Sequence, residues 1–157
     1  MDIKAHVDFD ADPQATFEML TTKEFLEEVC RRSEASSHTV VVDGNTTRTT
    51  RELPAPEMAQ KITGATLTIE EEVVWSEAAD DGSRTGTITV KVSGQPAKMT
   101  GTSKLAPGGP GTVVDVTGDF KVNVPLVGKK IEKMAAPMLV EGIELQGVVG
   151  RKWLAER

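Results

Sequence analysis

The stretch PLVGKKIEKMAAPMLVEGIELQGVVGRKWLAER, residues 125–157, decides how the rest of the chain is read. Pro125 closes a run of alternating residues, and a different periodicity begins. Val127, Ile131, Met134, Met138, Glu141/Gly142, Leu145, Val149 and Trp153 recur at three- and four-residue spacing. That spacing lays one apolar stripe along a helix running from Leu126 to Glu156. At 1.5 Å per residue the helix is ~45 Å long. Pro137 falls inside it and is expected to kink it, because its ring removes a helical hydrogen bond and crowds the preceding turn. A stripe of this length needs a cover, and the upstream chain must supply it.

Upstream, Ile3, Ala5, Val7 and Phe9 alternate with Asp2, Lys4, His6 and Asp8, the pattern of a half-buried strand. Asp12-Pro13 opens a helix over 14–20, with an N-cap followed by proline at the first helical position. Thr22 reads as a second N-cap, and Glu24 to Arg32 as a helix burying Phe25, Leu26, Val29 and Cys30. The texture then turns to strands: Ser37–Asp43, Thr46–Leu53, Ala65–Glu77, Arg84–Ser93, Ala97–Ala106 and Thr112–Val124. Between them stand Asp43-Gly44-Asn45, Asp80-Asp81-Gly82-Ser83, Gly94-Gln95-Pro96 and the loop Pro107-Gly108-Gly109-Pro110-Gly111, all rich in turn formers. Pro54-Ala55-Pro56 ends one strand, and Glu57 to Gly64 reads either as a short helical turn or as irregular chain.

Short turns make neighbouring strands antiparallel. The expected class is therefore α+β: a seven-stranded antiparallel meander, two short helices between strands 1 and 2, and a long C-terminal helix over one face. No repeat or linker divides residues 1–157, which read as a single domain.

Lys and Arg number 18 against 24 Asp and Glu, for a net charge of -6, and the basic residues are interspersed with acidic ones. This argues against a nucleic-acid surface and against docking on anionic membranes. Cys30 is the only cysteine, so neither an intrachain disulfide nor a cysteine-based metal site is expected. No cofactor signature occurs, and the glycine clusters match neither a P-loop nor a dinucleotide fingerprint. The first residues lack the apolar stretch of a signal peptide, and no apolar run approaches the ~18 residues that span a bilayer, so the cytoplasm is the expected location. With two Trp, four Phe and no Tyr, the core falls to Val, Ile, Leu and the six Met.

This element order, with Pro-Leu-Val-Gly-Lys-Lys-Ile-Glu (125–132) leading into the last helix, resembles the START-like superfamily of helix-grip proteins. That group, also called SRPBCC or Bet v-like, includes pollen-allergen-like proteins, polyketide cyclases and lipid-transfer domains. The chain looks like one of its small bacterial branches, and the resemblance covers nearly the whole length. It implies a curved sheet gripping the terminal helix, with a cavity between them for lipids, sterols, polyketides or other apolar ligands.

The residues that should face the helix are Leu67, Ile69, Val73 and Trp75, then Ile88, Val90 and Val92, then Met99 and Leu105, then Val116, Phe120 and Val122. Met134, Met138, Leu139, Ile143 and Leu145 answer from the helix. A packed core and a cavity wall both need such faces, and only the resemblance favours the cavity. On that reading the expected lining is Leu67, Ile69, Trp75, Ile88, Val90, Met99, Val116, Phe120, Met134, Met138 and Ile143. Gly142, Gly147 and Gly150 in the helix fit close approach to the sheet, room for a ligand, or, for Gly150, fraying.

Three polar residues are candidates for the same space. Glu71 shares the alternation of Ile69 and Val73, although Glu70-Glu71-Glu72 invites a β-bulge that would turn it to solvent, and the bulge is the preferred reading. Arg48 and Arg51 lie an odd number of residues apart, so a regular strand turns one of them inward, while an edge position, preferred here, leaves both solvated. His38 stands in register with Val40 and Val42 and is a further inward candidate, whereas His6 falls on the polar side of its strand. The two histidines have no metal-ligand spacing.

Three functions follow from this pattern. The first is non-catalytic binding or carriage of an apolar, lipid-like or polyketide-like molecule by a monomer or dimer. The second is a cyclase, dehydratase or hydrolase using the same cavity. The third is a protein-interaction module without a ligand, acting through a sheet edge or an exposed apolar patch. Because an apolar cavity draws affinity from area, replacing Glu71, Arg51 or His38 singly is expected to change binding by less than about tenfold.

Overall fold

The computed structural model describes residues 1–157. In chain order the elements are β1 (Asp2–Phe9), α1 (Pro13–Leu20), α2 (Lys23–Arg32), β2 (Ser37–Asp43) and β3 (Thr46–Pro54). A 3-10 turn (Glu57–Ala59) then runs into the single turn α3 (Gln60–Thr63). β4 (Thr66–Trp75), β5 (Arg84–Val92), β6 (Ala97–Gly108), β7 (Gly111–Val122) and α4 (Gly128–Ala155) complete the chain. All seven strands form one antiparallel sheet in the order β1-β7-β6-β5-β4-β3-β2. The meander holds only from β2 to β7. β1 pairs with β7 at the far edge, because α1 and α2 carry the chain across the sheet before β2 begins.

Local chemistry accounts for most boundaries. The Asp12 carboxylate accepts the Ala15 N–H at 2.8 Å and Pro13 opens α1. Thr22 precedes α2 but does not cap it with its side chain; its hydroxyl donates back to the Glu18 carbonyl at 2.6 Å. The glycine-rich loop after β6 is shorter than its composition suggests. The ladder continues to Gly108 and resumes at Gly111, leaving Gly109-Pro110 as a two-residue turn with Gly109 in the left-handed region at φ 52°. α4 starts two residues later than its apolar pattern, because Leu126 also adopts a left-handed φ of 73°. From Gly128 the helix passes through Pro137 without interruption.

α4 does not lie evenly on the sheet. It packs on β1, β7 and α2, with its first residue, Gly128, against Val122 of β7 and its last turns against β1. There Gly150 abuts the Phe9 ring and the Met19 methyl, and a Cβ on Gly147 would stand 2.8 Å from Val7 Cγ1. Gly147 and Gly150 are buried, so close approach, not fraying, explains both. Phe25 and Trp153 meet edge to face at 5.6 Å, sealing this end. Its middle turns make no comparable contact with β3, β4 or β5. No helix is long and apolar enough to cross a membrane.

Candidate functional site

Where α4 stands off the sheet, a cavity of about 210 Å³ remains. That exceeds the roughly 150 Å³ of a hydrocarbon-lined void able to hold a benzene ring. Of its 32 lining residues 23 are hydrophobic, so the wall offers mainly apolar contact. The inward rows of β3, β4 and β5 form one wall, and β6 and β7 another. Phe9, Leu26 and Val29 lie towards the packed end, and the helix contributes Ala135, Met138, Leu139, Gly142, Ile143 and Gln146. Met138 lines the space and is also 43% exposed, which puts it at the rim.

On β4 the structure places Leu67, Ile69 and Trp75 on this wall, with Ile88 and Val90 beside them on β5. Met99, Val116, Phe120, Met138 and Ile143 also line it. Met134 does not. Each helical residue turns ~100° from the last, and the row that faces the cavity runs 135, 139, 142, 146. Met134 is half-buried one step off that row. The sequence stripe already held Gly142, but it followed the large apolar residues and so missed Ala135 and Gln146, which are small and polar, respectively. On β3, Thr47 and Thr49 were missed because they are polar and Leu53 because it ends a polar strand, although all three lie at even spacing from Arg51 and share its face.

Two expectations about charge are corrected. β4 carries no bulge: its register is continuous from Thr66 to Trp75 against β3 and from Ile69 to Trp75 against β5. Glu71 therefore keeps the inward alternation and lines the cavity. β3 is not an edge strand, being paired with β2 on one side and β4 on the other. Arg51 accordingly turns inward, while Arg48 turns outward and pairs with Glu72 at 2.9 Å. His38 shares the inward face of β2 with Val40, yet it is not on the cavity wall. α2 covers it, and its Nε2 lies 4.0 Å from the Glu27 carboxylate. His6 is outward and meets Asp115 across the β1–β7 ladder at 2.6 Å.

Arg51 is the unusual group of the cavity. Its Nε is buried and has no hydrogen-bond partner, and its guanidinium enters no ion pair. Nη2 lies 3.9 Å from the point where a side chain on Gly142 would begin. Cys30 lines the same space. Burial pushes its thiol pKa above the ordinary 9.0, Arg51 pulls it back, and Glu71 pushes it further. The thiol is therefore neutral at physiological pH and behaves as part of the apolar wall. No three His, Cys, Asp or Glu side chains come together to hold a metal ion.

No curated protein matches the chain. Among solved structures it is similar to TTHA0849 from Thermus thermophilus, at 20% identity over 100% of both chains with a TM-score of 0.67. It is also similar to Ara h 8.0201, at 14% identity over 95% of this chain and 97% of that one, with a TM-score of 0.54. A third likeness is to the di-domain ARO/CYC StfQ from the steffimycin biosynthetic pathway. It has 13% identity and a TM-score of 0.67, over 99% of this chain and 51% of that one. At such identities the likeness is one of fold. These three share its helix-grip fold. Residues 4–154 match the family described as protein of unknown function (DUF2505), and the chain belongs to that family.

Proposed function

We propose that the protein binds and carries an apolar small molecule, lipid-like or polyketide-like, between its sheet and the middle turns of α4, without altering it chemically. The observation that supports this reading is the cavity of about 210 Å³ with a mainly hydrophobic wall at the place where the helix leaves the sheet. Each 100 Å² of apolar ligand surface taken from water there contributes ~2.5 kcal/mol. The catalytic alternative asks for a nucleophile or base within hydrogen-bond reach of a second group. Arg51, Glu71, Ser103 and Gln146 line the cavity, but none of their side chains hydrogen-bonds to another. His38 sits outside it.

Native mass spectrometry of freshly purified protein tests the reading. A co-purifying molecule of apolar character is the expected result. A fluorescent fatty-acid probe titrated against the intrinsic fluorescence of Trp75 then measures affinity. Leu139→Trp, which fills the space from the helix side, should weaken the probe by at least about tenfold while leaving the circular dichroism unchanged. Equal binding by that variant would place the ligand elsewhere and end this proposal.

A further inference from the structure

Resting on the apolar-cavity reading above, we propose that the ligand carries a carboxylate headgroup, held by Arg51 beneath the Gly142 turn of α4. An arginine does not shed its proton in a protein, so a guanidinium on a mainly hydrophobic wall needs an acceptor. Arg84 is a useful contrast, because its Nε is also buried without a partner. Arg84 is nevertheless built into the fold: its Nη1 donates to the Ser76 carbonyl at 3.0 Å, and its guanidinium lies 3.6 Å over the Phe17 ring. Arg48, three residues from Arg51 on the opposite face, has Glu72. Arg51 has neither a stacking ring nor a counter-ion in the structure.

The surroundings suit a planar acid. The Nε–H and one Nη–H of a guanidinium point the same way and match the two oxygens of a carboxylate. Within 4 Å of a Cβ built on Gly142, the only neighbour is Arg51 Nη2, so the helix leaves open space beside the fork. Gln146, one turn further along α4, lines the same cavity and brings an amide donor to that side. From this corner the apolar rows of β4 and β5 lead inward and receive the tail.

Glu71 sets the sign of a second effect. Thr49 is opposite Glu71 and Arg51 is opposite Ile69, so Arg51 and Glu71 are diagonal neighbours on one face. They form no ion pair, and the Glu71 charge opposes an entering carboxylate. Removing it should help an acid and leave a neutral ligand nearly unaffected.

Isothermal titration calorimetry with decanoic acid, methyl decanoate and decanol at neutral pH separates headgroup from tail. The protein should bind the acid at least about tenfold tighter than the ester or the alcohol. Arg51→Gln should erase that preference while keeping decanol within about threefold, and Glu71→Gln should strengthen it. Circular dichroism of both variants confirms the fold. If all three compounds bind equally and Arg51→Gln changes none of them, the headgroup inference is overturned and the apolar-cavity reading survives. If Arg51→Gln and Glu71→Gln weaken acid and alcohol alike, the two residues act as a structural pair and the inference is again wrong. If none of the three compounds binds, both readings fall together.

Discussion

The middle turns and the C-terminal turns of α4 present the same apolar chemistry to the same sheet and end in opposite states. In the C-terminal turns, Gly147 and Gly150 bring the helix backbone onto Val7 and Phe9, and Trp153 closes against Phe25. In the middle turns, Ala135, Met138, Leu139 and Gly142 face β3 to β5 across open space. Gly150 has no room for a methyl group, while Gly142 has only the tip of Arg51 nearby. Small residues in a helix thus mean contact at one end and vacancy at the other. The partner across the gap decides which.

The contrast is broken most strongly from the packed end. Phe9→Ala removes a fully buried ring beneath Gly150 and should cost ~3–5 kcal/mol in urea unfolding. At the open end, Leu139→Ala should cost less than about 1.5 kcal/mol, because that side chain is only partly buried and already faces a void. Equal losses would mean that the helix is held equally along its length.

The glycines give a finer test. Gly150→Ala should destabilise by ~1–3 kcal/mol through overpacking against Phe9 and Met19, despite the better helix propensity of alanine. Gly142→Ala should instead stabilise by ~0.5–1 kcal/mol. Thermal unfolding of the two variants should therefore move in opposite directions.

A third test concerns how the open part of α4 is tethered. Glu132 Oε2 accepts the Val122 N–H at 3.0 Å, which ties the start of α4 to the end of β7. That hydrogen bond holds the Glu132 carboxyl below its ordinary pKa of 4.5. Its stabilisation is therefore fully present above pH 4.5 and is lost as the pH falls through the lowered value. Glu132→Gln should lower stability at neutral pH and flatten that part of the acid limb, because the contribution the wild type loses on acidification is already absent. The smallest effect is expected at Leu126, a fully exposed residue held at φ 73° just before α4. Leu126→Asn should stabilise by up to about 1 kcal/mol, because asparagine tolerates the left-handed region better. A loss of stability there would show that the leucine makes a contact of its own.

Much of this was legible in the chain itself. Period-two and period-3.6 patterns located every strand and the three main helices, and turn residues marked the hairpins. The charged residues were misjudged for one reason. The bulge at Glu71 and the solvated edge at Arg51 were preferred because buried charge is costly, yet plain alternation pointed inward at both positions. Local rules break where a site is built, and the departure was itself the signal. Met134 failed differently: on a helix, a residue one step off a row faces elsewhere, and size does not reveal the row.

Sequence alone determined the elements, the antiparallel order from β2 to β7 and the alternation of faces along each strand, because these follow from backbone periodicity and turn chemistry over a few residues. The pairing of β1 with β7 instead joins residues far apart in the chain. The tertiary structure decided where the helix touches the sheet and where it stands away. Burial of apolar surface is non-directional, so valine and leucine serve equally in a dry core or on a cavity wall. The gap between the layers depends on which side chains meet across it, and those residues are far apart in the chain: Gly150 against Phe9, and Gly142 above Arg51.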